Sequence, residues 1–71
     1  MKFTLKIAKD CLKQLNISNP SFDIHELKNG MNVELEHKDI TNGDPLLTCK
    51  IALAHLKENP NYYQLLATLK L

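Results

Sequence analysis

The fold is decided by residues 44–58, which read DPLLTCKIALAHLKE. Asp44 before Pro45 predicts a helix start, because the carboxylate can accept an unpaired backbone N–H and proline at the first helical position has no N–H to leave unpaired. The residues that follow are apolar nearly all the way round a helix, with a narrow polar strip marked by Lys50 and Lys57. A helix with so little polar surface belongs at the centre of a domain. We therefore predict a central helix over residues 45–58.

Three further helices are predicted around this one. Residues 3–16 bring apolar side chains to one face at helical spacing, namely Ile7, Ala8, Cys11, Leu12 and Leu15. The Asx-Pro pattern recurs at Asn19-Pro20 and at Asn59-Pro60. It predicts a second helix over residues 20–28, which Gly30 would end in the left-handed conformation, and a last helix over residues 60–69.

The ambiguous stretch is MNVELEH, residues 31–37, in which apolar and polar residues alternate as in a strand. The preceding Asn29-Gly30 favours a two-residue turn, so a hairpin over residues 22–37 is a rival interpretation. That hairpin would place Glu26 on the same face as Val33, and an isolated hairpin needs support. We favour a short helix. The prediction is an all-α single compact domain, residues 1–71, of four to five short helices, with an α+β fold carrying the hairpin as the rival.

Composition restricts the classes of partner. The chain has nine basic residues, all of them lysine, against eight acidic ones, for a formal net charge of +1. Because arginine is the residue that grips phosphate and guanine with two parallel hydrogen bonds, we expect no specific nucleic-acid binding. We predict that one line of lysines on the first helix is a solvated face, with weak phosphate contact as the alternative: Lys2, Lys6, Lys9 and Lys13. The first residues lack a long apolar run, so we expect no secretory signal, no membrane contact and an intracellular (cytoplasmic) protein.

The two cysteines, Cys11 and Cys49, are far apart in the sequence and form no CxxC motif. This spacing is typical of reduced thiols that act as small core residues, rather than of a disulfide framework or a zinc site. We therefore predict two free, buried cysteines.

Five segments carry a resemblance to a known family: GMNVELEH at residues 30–37, the Thr41-Asn42 and Asp44-Pro45 pairs, KIALAHLKE at 50–58 and PNYY at 60–63. Over about residues 22–69 the chain resembles an uncharacterised small domain found in phages, large DNA viruses and bacteria, and the first helix lies outside the resemblance. The resemblance implies a helical domain connected with viral biology, and hence a virion-associated location as the other possibility. Cys49 stands where a small residue such as Gly or Ala is expected, and we infer no new chemistry there.

Two glutamate-histidine pairs are the candidates for chemistry. On helices, residues three apart share a face, as Glu34 does with His37 and His55 with Glu58. Such ligands suit Zn, Mn or Fe, so a metal-binding and hydrolytic module is the alternative function. We favour histidines that are half-buried and hydrogen-bonded to glutamate or to a tyrosine hydroxyl, with no catalytic residue and no cofactor.

Tyr62 and Tyr63 open the last helix, where we expect one ring in the core and the other partly exposed. Both are therefore candidates for contact with a partner. The sequence favours a non-enzymatic helical protein-interaction module, which binds a protein partner or a second copy of itself, by resemblance a viral or phage component.

Overall fold

The computed structural model describes residues 2–35 and 42–69, and in these residues the regular secondary structure is four helices and no strand. The helices are α1 (Leu5–Gln14), α2 (Ile24–Glu34), α3 (Pro45–Glu58) and α4 (Tyr62–Leu69). The predicted all-α fold is confirmed. None of the four described helices has the length and apolar character that a membrane span requires.

The central position predicted for residues 45–58 is also confirmed. The Asp44 carboxylate accepts a hydrogen bond from the backbone N–H of Leu47 at 3.2 Å, and Pro45 occupies the first turn. Helix α3 packs against α1, α2 and α4. It buries one side completely, including a threonine whose hydroxyl donates to the Asp44 carbonyl at 2.7 Å: Thr48, Cys49, Ala52 and Leu56.

The hairpin over residues 22–37 is wrong throughout its described part, because Ile24–Glu34 is one continuous helix. Its N-cap is Asp23, which accepts from the His25 N–H at 2.8 Å, so Asn19-Pro20 does not start the helix as predicted. Gly30 does not end it either: among the described glycines, positive φ occurs at Gly43 alone. In the described part of the alternating pattern, residues 31–35, the helix continues to Glu34, and Met31 and Leu35 are buried.

The segment before α1 is held to α2 by one side chain. The Asn32 amide accepts from the backbone N–H of Phe3 at 2.7 Å and donates to the Phe3 carbonyl at 3.1 Å, so it pairs with both polar groups of that residue. The Phe3 ring is buried. Helix α1 follows with Thr4 as its N-cap, and its buried face is Ala8, Cys11 and Leu12, as predicted.

Helix α4 begins two residues after Pro60. Asn59 accepts from the Asn61 N–H at 3.0 Å, and its own carbonyl accepts from Tyr62 at 3.0 Å. The Asn59-Pro60 corner therefore leads into the helix through one extra turn, instead of starting it directly.

The prediction of free cysteines is wrong: Cys11 and Cys49 form a disulfide, with their Cα atoms 6.6 Å apart. Each cysteine lies on the buried face of its helix, and the two faces pack against each other. Sequence spacing carries no signal for such a pair, since 38 positions separate the two residues and only the packing of α1 on α3 brings them together. Contrary to the expectation from the sequence, Cys49 therefore forms a covalent bond between two helices.

Reducing this disulfide should lower the free energy of unfolding by about 2–4 kcal/mol, because the cross-link restricts the unfolded chain. Urea unfolding with and without dithiothreitol measures the difference. A Cys11→Ala/Cys49→Ala variant is the control and should not respond to the reductant. Identical wild-type curves in the two conditions would contradict the prediction.

Candidate functional site

The most deeply buried polar contact between helices joins α2 to α4. The Tyr63 hydroxyl donates a hydrogen bond to the Glu34 carboxylate at 2.8 Å, and the two residues are 4% and 9% exposed. A carboxylate inside a protein is costly unless it has hydrogen-bond donors. Tyr63 supplies one, so that the contact orients α4 on α2 as well as satisfying the charge.

His55 completes this cluster from α3. Its Nε2 lies 3.7 Å from the same Glu34 oxygen that Tyr63 contacts, within ion-pair distance when the imidazole is protonated. The imidazole stacks on the Tyr62 ring with centroids 4.4 Å apart, and the Tyr63 ring meets it edge-on at 6.2 Å. Three helices therefore meet at one carboxylate. His55 is half-buried beside a glutamate and two tyrosines, as expected, but at 3.7 Å its nitrogen is too far from the Glu34 oxygen for the expected hydrogen bond.

Gly30 explains how the Tyr63 ring reaches this position. A Cβ atom on Gly30 would lie 2.2 Å from the Tyr63 Cε2 atom, well inside van der Waals contact. The glycine is therefore required in the middle of α2 by the close approach of a ring, despite its low helix propensity. Gly30 was predicted to end the helix in the left-handed conformation, which glycine adopts most readily, and no local pattern reveals the ring that packs on it.

Glu26 is a second buried carboxylate, which the sequence analysis missed. It is 3% exposed and accepts a hydrogen bond from the backbone N–H of Gln64 at 3.0 Å. That N–H belongs to the first turn of α4, where it has no partner within the helix. Glu26 lies on α2 but takes the role of an N-cap residue for α4. Its negative charge lies at the N-terminal end of α4, where the helix dipole favours it.

Burial raises the pKa of the Tyr63 hydroxyl well above its ordinary value of 10.0, and the hydrogen bond to Glu34 and the negative charge of that carboxylate raise it further. The hydroxyl therefore keeps its proton at physiological pH and can donate a hydrogen bond. Such a group suits a structural hydrogen bond, and it is a poor general acid or base.

Two of the four predicted metal ligands come together. Glu34 and His55 are neighbours, whereas Glu58 is exposed on the last turn of α3 and His37 lies outside the described residues. Within residues 2–35 and 42–69, no three His, Cys, Asp or Glu side chains are grouped as a metal site requires. The Glu34 oxygen nearest His55 already accepts from Tyr63.

Helix α4 leaves much of its apolar surface in water. Leu65 is 51% and Leu69 is 81% exposed, and Tyr62 and Leu66 are half-buried beside them. At 100° per residue these four side chains share one side of the helix, which we call the C-terminal stripe: Tyr62, Leu65, Leu66 and Leu69. As expected, one tyrosine is in the core and the other is partly exposed.

Gly30→Ala should destabilise the protein by at least about 1 kcal/mol, because the added methyl group displaces the Tyr63 ring. The sign is the informative part, since the same change in an exposed helix stabilises by about 1 kcal/mol. Urea unfolding measures it. Asn29→Ala, at the exposed neighbouring position, is the control and should be neutral or slightly stabilising; a Gly30→Ala protein more stable than wild type would refute the close approach.

Tyr63→Phe should lower the free energy of unfolding by about 1–3 kcal/mol near pH 7, because the Glu34 carboxylate loses its hydrogen-bond donor. The raised pKa of Tyr63 sets the pH dependence: above pH 10.0 the unfolded chain releases this proton while the folded protein retains it, so wild-type stability falls. The stability difference between wild type and Tyr63→Phe should therefore be constant between neutral pH and that value and shrink above it, by up to about 1.4 kcal/mol per pH unit.

A Tyr62→Phe variant isolates Tyr63 as the one tyrosine of the chain. Its tyrosinate absorbance should rise only as the protein unfolds. Ionisation of Tyr63 in the folded protein near pH 10.0, its ordinary pKa, would show that the hydroxyl is not buried against Glu34.

Comparison with known proteins gives a family. The family model described as "Protein of unknown function (DUF5661)" matches residues 5–70. No curated protein and no solved structure matches the chain. The match includes α1, so the resemblance that began at about residue 22 and left the first helix outside was too short. The chain belongs to the DUF5661 family of proteins of unknown function, and all four helices are part of the family's domain.

Proposed function

We propose that this domain is a non-enzymatic protein-interaction module that binds its partner through the C-terminal stripe. The observation that carries the proposal is the exposure of Leu65 and Leu69, side by side on a helix without a single charged residue. A surface helix normally turns its apolar stripe toward the core. Here Tyr63 occupies the core and the leucines beside it are left in water.

Covering this stripe would contribute favourable free energy to binding. Burying apolar surface contributes about 25 cal/mol per Å², or about 1.5–3 kcal/mol for a whole leucine side chain. A few residues near the centre of an interface carry most of its binding energy, and tyrosine is common among them whereas leucine is not, so Tyr62 is the candidate for the largest contribution. The stacking of Tyr62 on His55 holds that ring in place before a partner arrives.

The glutamate-histidine cluster supports a binding role over a catalytic one. The Glu34 oxygen near His55 is already engaged by Tyr63, and the Tyr63 hydroxyl is held in its neutral form. These groups fix the position of α4 and so present the stripe. We propose that they are scaffolding, and that the domain uses no cofactor and no specific contact with nucleic acid or membrane.

We propose a virion-associated location and a viral or phage component as the partner. One support is the resemblance of the ELEH and HLKE segments to domains from phages and large DNA viruses. The other is the Cys11–Cys49 disulfide, since disulfides persist in oxidising surroundings such as the outside of a cell or particle. Of the two locations predicted from the sequence, the disulfide favours the virion over the cytoplasm.

A metal-binding module that uses Glu34, His37, His55 and Glu58 is the competing proposal, and the approach of His55 to Glu34 favours it. Zn, Mn or Fe bound in near-stoichiometric amount to the purified protein, and lost in His55→Ala, would replace the interaction proposal with this one.

Photo-crosslinking tests the interaction proposal. A photoreactive amino acid at position 65 should give a protein adduct in cells that produce the domain, because the stripe meets the partner there. The same amino acid at Lys9, on the exposed side of α1, is the matched control and should give none. Equal adducts at the two positions, or none at position 65, would overturn the proposal.

A further inference from the structure

We propose that a cleft beside α4 binds a small zwitterion, a molecule of amino-acid type whose ammonium group meets Glu26 and whose carboxylate meets Lys2 and Lys28. The cleft lies between α2, α4 and the segment before α1, and its volume is about 520 Å³. Pockets that hold small ligands measure about 300–1,000 Å³. Ala67, in the wall of the cleft, lies on the opposite side of α4 from Leu65. The inference therefore goes beyond the proposed function, which uses the C-terminal stripe.

The walls of the cleft are held in place by hydrogen bonds. The Asn32 amide pairs with both backbone polar groups of Phe3 and so fixes the segment before α1 against α2. On the other side, the Glu26 carboxylate holds the backbone N–H of Gln64 and so fixes α4 against α2. All four residues line the cleft. A ligand would therefore find the cleft already formed.

Glu26 carries an unpaired acceptor in this cleft. Its Oε2 atom accepts from the Gln64 N–H at 3.0 Å, and no donor of the described residues bonds to its Oε1 atom. Because every buried side-chain polar atom in residues 2–35 and 42–69 has a partner, Oε1 is not fully buried, and the open space that Glu26 lines is the cleft. The residue is only 3% exposed. A carboxylate so little solvated gains a strong, charge-assisted hydrogen bond when an ammonium group reaches it.

Two lysines line the same cleft without neutralising this carboxylate. In the described part of the chain, neither the Lys2 nor the Lys28 amine lies within ion-pair distance of Glu26. Lys2 is exposed and Lys28 is half-buried, whereas Glu26 is buried. The cleft therefore holds negative charge at its base and positive charge nearer its mouth.

This separation of charge selects a zwitterion over a simple ion. The lysines repel a cation that approaches the carboxylate, and the carboxylate repels an anion that the lysines attract. A molecule with an ammonium group at one end and a carboxylate at the other is attracted at both ends. Phe3, Val33 and Ala67 add apolar surface to the cleft. That surface suits the methylene groups between the two charges.

An NMR titration at constant ionic strength tests the site with straight-chain amino acids, from glycine to 6-aminohexanoate, which vary the distance between the charges. The backbone amides of Asn29 and Gln64, both in the cleft wall, should shift and saturate. We expect a dissociation constant on the order of 1 mM for the best of the series. Butylamine and butyrate carry one charge each and should bind at least about tenfold more weakly.

Charge variants test the two ends of the ligand separately. Glu26→Gln keeps an oxygen for the cap of α4 and removes the charge, so it should weaken binding at least about tenfold. Lys2→Met/Lys28→Met should weaken binding of the zwitterion and strengthen that of butylamine, which the lysines no longer repel. Lys50→Met/Lys57→Met makes the same change of charge on the exposed side of α3 and should bind like wild type.

Ala67→Leu keeps the test decisive if Glu26→Gln fails to fold. The larger side chain enters the cleft from an exposed position without a change of charge, so it should abolish binding with unchanged circular dichroism. The site would be overturned by the absence of a saturable shift with every member of the series. Butylamine binding as tightly as the best zwitterion, or undiminished binding by a folded Glu26→Gln protein, would overturn it equally.

Discussion

The close packing of the Tyr63 ring against Gly30 is the constraint on which the rest of the structure depends. The ring lies where a side chain at position 30 would otherwise be, which lets the hydroxyl reach the Glu34 carboxylate one turn further along α2. The ring and its hydroxyl therefore fix both the distance and the rotation of α4 relative to α2. Buried polar contacts of this kind contribute modest net energy, because desolvation offsets much of their attraction, and their main effect here is to select one arrangement.

The polar groups around the Tyr63 ring satisfy one another's hydrogen-bonding requirements. Glu26 and Glu34 lie on α2 and both engage α4, one through the backbone N–H of Gln64 and the other through the Tyr63 hydroxyl. Two buried carboxylates without donors would oppose folding, and the first turn of α4 would leave an N–H unpaired. The two carboxylates of α2 and the two donors of α4 therefore pair with each other. Among the described residues, every buried side-chain polar atom has a hydrogen-bond partner.

What the sequence predicts correctly is what depends on local pattern. The apolar run of residues 45–58 and the Asp44-Pro45 start define the central helix, and the one-sided apolar pattern of residues 5–14 gives the buried face of α1. The errors concern contacts between distant residues. The ring that packs on Gly30 lies 33 positions later in the sequence, and only the packing of α1 on α3 brings the two cysteines together. Glu26 was missed because a cap supplied by another helix leaves no mark in the capped segment.

The exposure of the C-terminal stripe follows from the burial of the Tyr63 ring. Tyr63 can turn inward only if the residues about 100° and more away from it around the helix turn outward, and Leu65 and Leu69 are among these. A two-turn helix is unstable in isolation, so α4 depends on Tyr63 and on the Glu26 cap for its position as well as its helicity. The same few contacts thus decide which side of α4 faces water. A change at Gly30 or Glu34 should therefore alter the proposed binding through the stripe without touching any residue of the stripe itself.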